Sequence, residues 1–265
     1  MNHKILDTKH GHWILAKMGK RVLRPGGKEL TLKLVENLNI KSTDNVVEFA
    51  PGMGFTASIV LQKQPHSYTG IELNEEATRK LEKRISGENR RIINSNATET
   101  SLPENFADVV YGEAMLTMHA DVKKSAIVKE AYRILKKGGL YGIHELSLFP
   151  DELEEKLKID IKRGLMQSIQ VNARPLTEKE WVAIVEDEGF KVVRIEKNPM
   201  ILLEPKRIID DEGFWRFCKI VFNILTHPQE RKRILEMRRV FKKYKEHMAA
   251  IVIVAEKRET HCSNH

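Results

Sequence analysis

The residues best placed to do chemistry are two carboxylates with a glycine bend between them: Glu48, Gly52-x-Gly54 and Glu72. Val46-Val47-Glu48-Phe49 is an apolar run carrying one acid, and the segment after Gly54 can start a helix. That spacing predicts a strand turning sharply into a helix. Gly52 and Gly54 can take positive φ, and neither puts a Cβ between the main chain and a ligand over the turn. Glu48 is expected to face the same crevice, at the carboxyl end of an open α/β sheet. Two ligands compete for such a bend. Gly52-x-Gly54-x-x-Ala57 satisfies the dinucleotide fingerprint, whose pyrophosphate lies on the helix N-terminus. An acid four residues ahead of the first glycine repels a pyrophosphate but suits a cation, which favours a cofactor carrying an ammonium and a sulfonium. Glu72 follows Gly54 by eighteen residues, about the interval at which a βαβ unit places the carboxylate that accepts from ribose hydroxyls.

A second set of side chains can handle a proton. His119 closes the run Glu113-Ala114-Met115-Leu116-Thr117-Met118-His119 and is the first choice for a general base, because imidazole takes a proton near neutral pH. The alternative is a residue that orders its loop or stacks beside the cofactor. His144 and Glu145 sit at the exit of another strand, where period-two alternation sends one to the crevice and its neighbour into packing; both stand as candidates. His10-x-His12 has no third ligand at an evident spacing, so a polar arm is expected there and no metal.

Alternating strands and helices must position these groups. An amphipathic helix is expected over 28–38, then the strand at Val46, a helix over 56–64, a strand over 68–72 and a charged helix over 75–86. Short strands follow at 91–94 and 106–112, then a helix over 126–137 stopped by Gly138-Gly139 and a strand over 140–146. Thr177 with Glu180 is a capping box that starts a helix, and a strand is expected over 191–195. Met248 to Ala255 is wholly apolar and reads as a buried strand. Between these units lie an N-terminal arm, 1–27, ended by Arg24-Pro25-Gly26-Gly27, and two helical insertions, 151–175 and 204–247. Phe214, Trp215 and Phe222 in the second insertion suggest a lid over an apolar ligand, with a membrane-surface helix as the competing idea. The tail, 258–265, is expected to be disordered.

The stretch from Val46 to Ala57 resembles motif I, acid-x-Gly-x-Gly-x-Gly, of the class I S-adenosylmethionine-dependent methyltransferases, with Ala50 at the first glycine. Alanine is the mildest replacement, tolerable if that residue keeps a negative φ. The similarity runs from about residue 28 to 148 and includes Leu102-Pro103, Phe106-Ala107-Asp108-Val109 and Arg133-Ile134-Leu135-Lys136-Lys137-Gly138-Gly139. It points to a small-molecule, quinone-biosynthesis-like branch. The resemblance implies one domain over 1–265 with a Rossmann-like seven-stranded α/β sheet, mostly parallel with an antiparallel last strand, helices on both faces and helical cap insertions. It also implies S-adenosylmethionine as cofactor and S-adenosylhomocysteine as product. Glu48 and Gly52 to Gly54 would lie at its amino-acid end, Glu72 at the ribose and Asn96 at the adenine, with Ala50, Pro51, Leu73, Ala97 and Glu113 also among the cofactor-binding residues. Asn96 stands where the family usually has Asp, so a charge-assisted contact becomes a neutral one.

Net charge is +8, which favours acidic partners. A nucleic-acid methyltransferase is therefore the runner-up, although Gly112-Glu113-Ala114-Met115 stands where base-methylating relatives carry an Asp/Asn-Pro-Pro-aromatic motif. A non-catalytic S-adenosylmethionine-binding protein and a dehydrogenase are the other readings. The favoured acceptor is a small apolar or aromatic molecule, with no nucleic acid. Two distant cysteines, Cys218 and Cys262, make no disulfide framework. No apolar run reaches the roughly 20 residues that cross a bilayer, and a cytoplasmic monomer or homodimer is expected.

Overall fold

A computed structural model describes residues 11–85 and 87–258. His10, the side chain of His12 and the tail from 259, with Cys262, lie outside the described residues.

The chain alternates as its periodicity predicts. Helices α1 (Gly11–Lys17) and α2 (Gly27–Asn37) precede β1 (Asn45–Phe49), α3 (Phe55–Val60), β2 (Ser67–Glu72), α4 (Glu75–Arg84) and β3 (Arg90–Asn94). Then come β4 (Ala107–Glu113), α5 (Asp121–Ile134), β5 (Leu135–Leu148), α6 (Glu155–Ile169), the two-residue β6 (Leu176–Thr177), α7 (Glu178–Asp187) and β7 (Phe190–Pro199). The second insertion folds as α8 (Pro205–Glu212), α9 (Phe214–Thr226) and α10 (Pro228–Lys243), broken at Gly213 and before Pro228, and β8 (Met248–Lys257) closes the chain.

The sheet order is β3-β2-β1-β4-β5-β8-β7, with β6 paired to β5. β8 runs antiparallel to both of its neighbours, and every other pair is parallel. Alternate residues of each strand feed opposite cores. Val47, Phe49, Val110, Ile143 and Ile253 pack under α5 and α7, whereas Val46, Tyr68, Tyr111 and Val252 pack under α2, α3 and α4. Helices therefore cover both faces. A third apolar cluster joins α1, α6 and α10 beyond the end of β5.

Local signals set most boundaries. The capping box is formed, with Thr177 accepting from the Glu180 N–H and Glu180 from the Thr177 N–H. The helix expected to reach Lys137 ends instead at Ile134. Leu135 already pairs with Ala107, and its carbonyl accepts from Lys257 Nζ at 2.6 Å, so sheet pairing overrides helical periodicity there.

Candidate active site

The sheet order sets the site. In the order β3-β2-β1-β4 the strand ends present Asn96, Glu72, the Gly52 bend and Glu113 side by side, at the carboxyl edge where open α/β sheets bind ligands. These residues line one cleft of about 300 Å³ with Ala50, Pro51, Leu73, Ala97 and His119. A Cβ built on Gly52, whose φ is 56°, would meet nothing nearer than Ala50 O at 3.9 Å, so the main chain there is bare toward the cleft. Glu72 ties the two turns together, accepting from Gly52 N–H at 3.1 Å and Asn74 N–H at 2.9 Å. A carboxylate has about four acceptor sites, so two remain for hydroxyls. Asn96 accepts from Thr98 N–H at 3.1 Å through Oδ1, which keeps a second lone pair.

Glu113 is the most heavily partnered group of the cleft. Oε1 accepts from Thr31 at 2.7 Å and lies 2.8 Å from His144 Nδ1; Oε2 accepts from Thr56 and lies 2.7 Å from Arg24 Nε. Arg24 Nε has no hydrogen-bond geometry, so that last contact is an ion pair. Burial pushes the Glu113 carboxyl up, but Arg24, His144 and Thr56 outweigh it and hold it down at about 2. Arg24 also lies over the Phe55 ring, 5.5 Å from its centroid. With Trp13, Arg21 and Leu23 it brings the N-terminal segment to the cleft wall. Glu212 of α8 fixes that segment by accepting from Arg21 N–H at 2.5 Å and Val22 N–H at 2.8 Å. At the level of sequence the role of these arm residues is open, their one local signal being the clustering before the Pro25-Gly26-Gly27 breaker.

Four expected site residues stand away from the cleft. Glu48 shares a face with Val46 and is buried, its Oε2 accepting from Tyr68 at 2.5 Å and Tyr111 at 2.7 Å. Burial raises its carboxyl to about 7 against the pull of the two tyrosines. Gly54 has φ 70°, but its Cβ would meet Leu81 Cδ2 at 2.7 Å, so it serves the packing of α4 on the bend and not a ligand. His144 is fully buried, Nδ1 toward Glu113 and Nε2 2.6 Å from Pro25 O. Glu145 accepts four hydrogen bonds, from the Met115, Leu116 and Thr117 N–H groups and the Thr117 hydroxyl. Burial pushes its carboxyl above the usual range although these donors oppose the shift. Both of its oxygens are spent in holding the loop after β4. Ala50 also departs from expectation: its φ is 52°, the left-handed region, so the first-glycine position does require what glycine supplies.

His119 does reach the cleft. It is half-buried, and burial with the nearby Lys123 and Lys124 lowers its pKa, so the ring is neutral and able to accept a proton near pH 7. Among the described residues no three His, Cys, Asp or Glu side chains gather as a metal set.

Beyond β4 lies a second, apolar cavity of about 90 Å³. Leu23, Ala114 and Met118 line both cavities, and the far wall comes from Leu165 and Ile169 of α6, Met237 and Phe241 of α10, and Leu202. Its polar side chains are Thr117 and Glu145, which bond each other. Phe214, Trp215 and Phe222, expected to close over a ligand, point into solvent and line neither cavity.

Residues 47–143 match the family model described as a methyltransferase domain. An uncharacterized protein of Haemophilus influenzae is 31% identical over 247 residues, 91% of this chain and 96% of that one. The phosphoethanolamine N-methyltransferase of Plasmodium falciparum is 24% identical over 76% of this chain and 82% of its own length. Among solved structures, the [4+2]-cyclase SpnF superposes with a TM-score of 0.72 at 15% identity, over 95% of this chain and 94% of that one; at that identity the likeness shows the fold alone. The matched domain covers the glycine bend and both cleft carboxylates, Glu72 and Glu113, and the last strand of the chain, β8, runs antiparallel between β5 and β7. The chain therefore belongs to the class I S-adenosylmethionine-dependent methyltransferases and takes S-adenosylmethionine as its methyl donor.

Proposed function

We propose that the chain methylates a small apolar or aromatic acceptor, of phenol or quinol character, whose reacting end enters the second cavity. The observation that carries this is the apolar pocket beside the donor cleft, divided from it by Leu23, Ala114 and Met118. A phosphoethanolamine-like acceptor fits poorly, because among the described residues no cation lines that pocket and a phosphate would enter it unpaired. A nucleobase fits poorly too, since Thr117 and Glu145 are already bonded to each other and to main chain, leaving no polar side chain of that pocket among the described residues to read a base edge. At about 90 Å³ the pocket is smaller than the roughly 150 Å³ cavities that hold benzene, so it takes the reacting edge of a ring and not the whole ring.

The residues divide the work along the strand ends. Asn96 takes the adenine, Glu72 the ribose hydroxyls, and the bare main chain at Gly52 lets the amino-acid end lie close. Glu113, whose oxygens are taken by Thr31, His144, Thr56 and Arg24, holds the Arg24 guanidinium there for the donor's carboxylate. When bound, the donor supplies a methyl on a sulfonium, already activated for displacement. What the protein adds is alignment of the acceptor with that methyl, a contribution that can reach roughly 7–11 kcal/mol for well-oriented reactants. Leu23 and Met118 exclude water from the junction. His119 is the side chain available to take a proton from a hydroxyl acceptor; Glu145 and His144 act as positioning residues, holding the loop after β4 and the Glu113 carboxylate. We place the enzyme in the cytoplasm, as one chain with the arm and both insertions around the acceptor site.

Incubation with S-adenosylmethionine labelled in the methyl group and a cell extract, followed by partition between water and an organic solvent, tests the reading. Label in the organic phase is expected. Label confined to the aqueous small molecules or to RNA would overturn it.

A further inference from the structure

Helix α9 has two unlike faces. The inner one meets protein: Ile220 is buried, Arg216 Nε donates to Gly19 O at 3.1 Å, and Asn223 Nδ2 donates to Met18 O at 2.9 Å. The outer one is a single apolar stripe. At 3.6 residues per turn, Val221, Phe214, Leu225, Cys218, Phe222 and Trp215 fall within about 120° of the helix circumference. Phe214 is 58%, Trp215 84%, Phe222 65% and Leu225 59% exposed. Scattered exposed apolar residues are ordinary, but a contiguous stripe with several aromatic members marks a contact surface. Among the described residues nothing covers it, and α9 contains no acidic residue.

The next helix supplies the chemistry of the partner. Arg231, Lys232, Arg239, Lys242 and Lys243 are exposed along one side of α10, with Leu235 among them. The acids of α10 are paired: Glu230 with Lys17, and Glu236 with Arg233 at 3.9 Å. An aromatic and aliphatic stripe on one helix, with exposed cations that form no ion pair among the described residues on the helix packed against it, matches the headgroup boundary of an anionic bilayer, where apolar burial and electrostatic attraction add. A second copy of the chain would bring the same cations against themselves, which like-charge repulsion opposes. We propose that α9 and α10 dock the protein on the surface of an anionic phospholipid bilayer, α9 seating its Phe-Trp-Leu stripe among the headgroups and α10 pairing with lipid phosphates. The inner face of the same helix grips Met18 and Gly19, just ahead of Arg21 and Leu23 at the cleft wall, so the docking helix and the cleft share one segment.

Cosedimentation of the full chain with vesicles tests this without donor or acceptor, so its outcome is independent of the proposed acceptor. One vesicle set is phosphatidylcholine alone; the other mixes in phosphatidylglycerol. The wild type is expected to bind the mixed vesicles about tenfold or more tighter than the neutral ones. Trp215→Ser with Phe222→Ser should weaken that binding by about tenfold or more, and Lys232→Glu with Arg239→Glu should erase the preference for the anionic set. Each variant is checked for an unchanged thermal transition. The proposal is overturned if the wild type stays in the supernatant with both sets, or if the serine variant sediments like the wild type. It also fails if light scattering shows a wild-type dimer that the serine variant splits, since the stripe is then a seam between copies.

Discussion

The two cavities that meet at Leu23, Ala114 and Met118 are built on different plans. The strand-end cleft is walled by turns, where main chain and short-range carboxylates line the space; the apolar pocket is walled by aliphatic side chains from α6, α10 and the segment around Leu202. Main-chain walls change little with sequence, because any residue carries the same amide. Side-chain walls change with every substitution. A molecule so divided keeps one cosubstrate constant and leaves the other open to variation, and that contrast can be broken or sharpened at single positions.

The largest effect is expected at Glu113, which joins the arm to the cleft. Glu113→Ala leaves Arg24 and His144 buried without their carboxylate and should cost about 3–5 kcal/mol in urea denaturation. Next comes Glu48, buried but outside the cleft. Its carboxyl ionises near 4.5 in the unfolded chain and near 7 in the fold. The folded state therefore binds the extra proton, and stability falls as pH rises through that window, by about 3 kcal/mol. Glu48→Gln still accepts from a tyrosine and should abolish that slope while leaving donor affinity unchanged. Glu113 titrates the opposite way: its stabilisation is present above about 4.5 and is lost as pH falls toward about 2.

Gly52→Val places a branched side chain over the bare bend at φ 56°. Calorimetric titration with S-adenosylhomocysteine should show affinity reduced on the order of 100-fold, about 2.7 kcal/mol. The smallest change is a gain. Ala50→Gly relieves the left-handed conformation at φ 52°, worth about 1–2 kcal/mol, against a loss of about 0.4–1 kcal/mol from the freer unfolded chain. A thermal transition raised by a few degrees is expected.

What the sequence disclosed follows from distance along the chain. The glycine bend, Glu72 and Asn96 belong to βαβ units whose spacing fixes where strand ends fall, and the capping box at Thr177 needs only Glu180. Glu48 misled because alternation shows that it shares a face with Val46 but not which face opens to the crevice. The arm was illegible for a plainer reason: Arg24 meets Glu113, and Arg21 meets Glu212, across 191 residues in the second case. No local pattern encodes such pairs. Apolar residues usually face inward, which is why Phe214, Trp215 and Phe222 suggest a lid; α9 turns them out, and Met237 and Phe241 of α10 line the pocket instead.

The central claim is that the apolar pocket receives the acceptor while the strand-end cleft receives the donor. Ala173→Leu, which adds bulk to the pocket wall alone, tests it most directly when donor affinity and methyl transfer are measured on the same preparation. The account predicts S-adenosylhomocysteine affinity within about twofold of wild type, with transfer of label into the organic-soluble product reduced by about tenfold or more. Transfer at the wild-type rate, or donor affinity falling in step with it, would contradict the account.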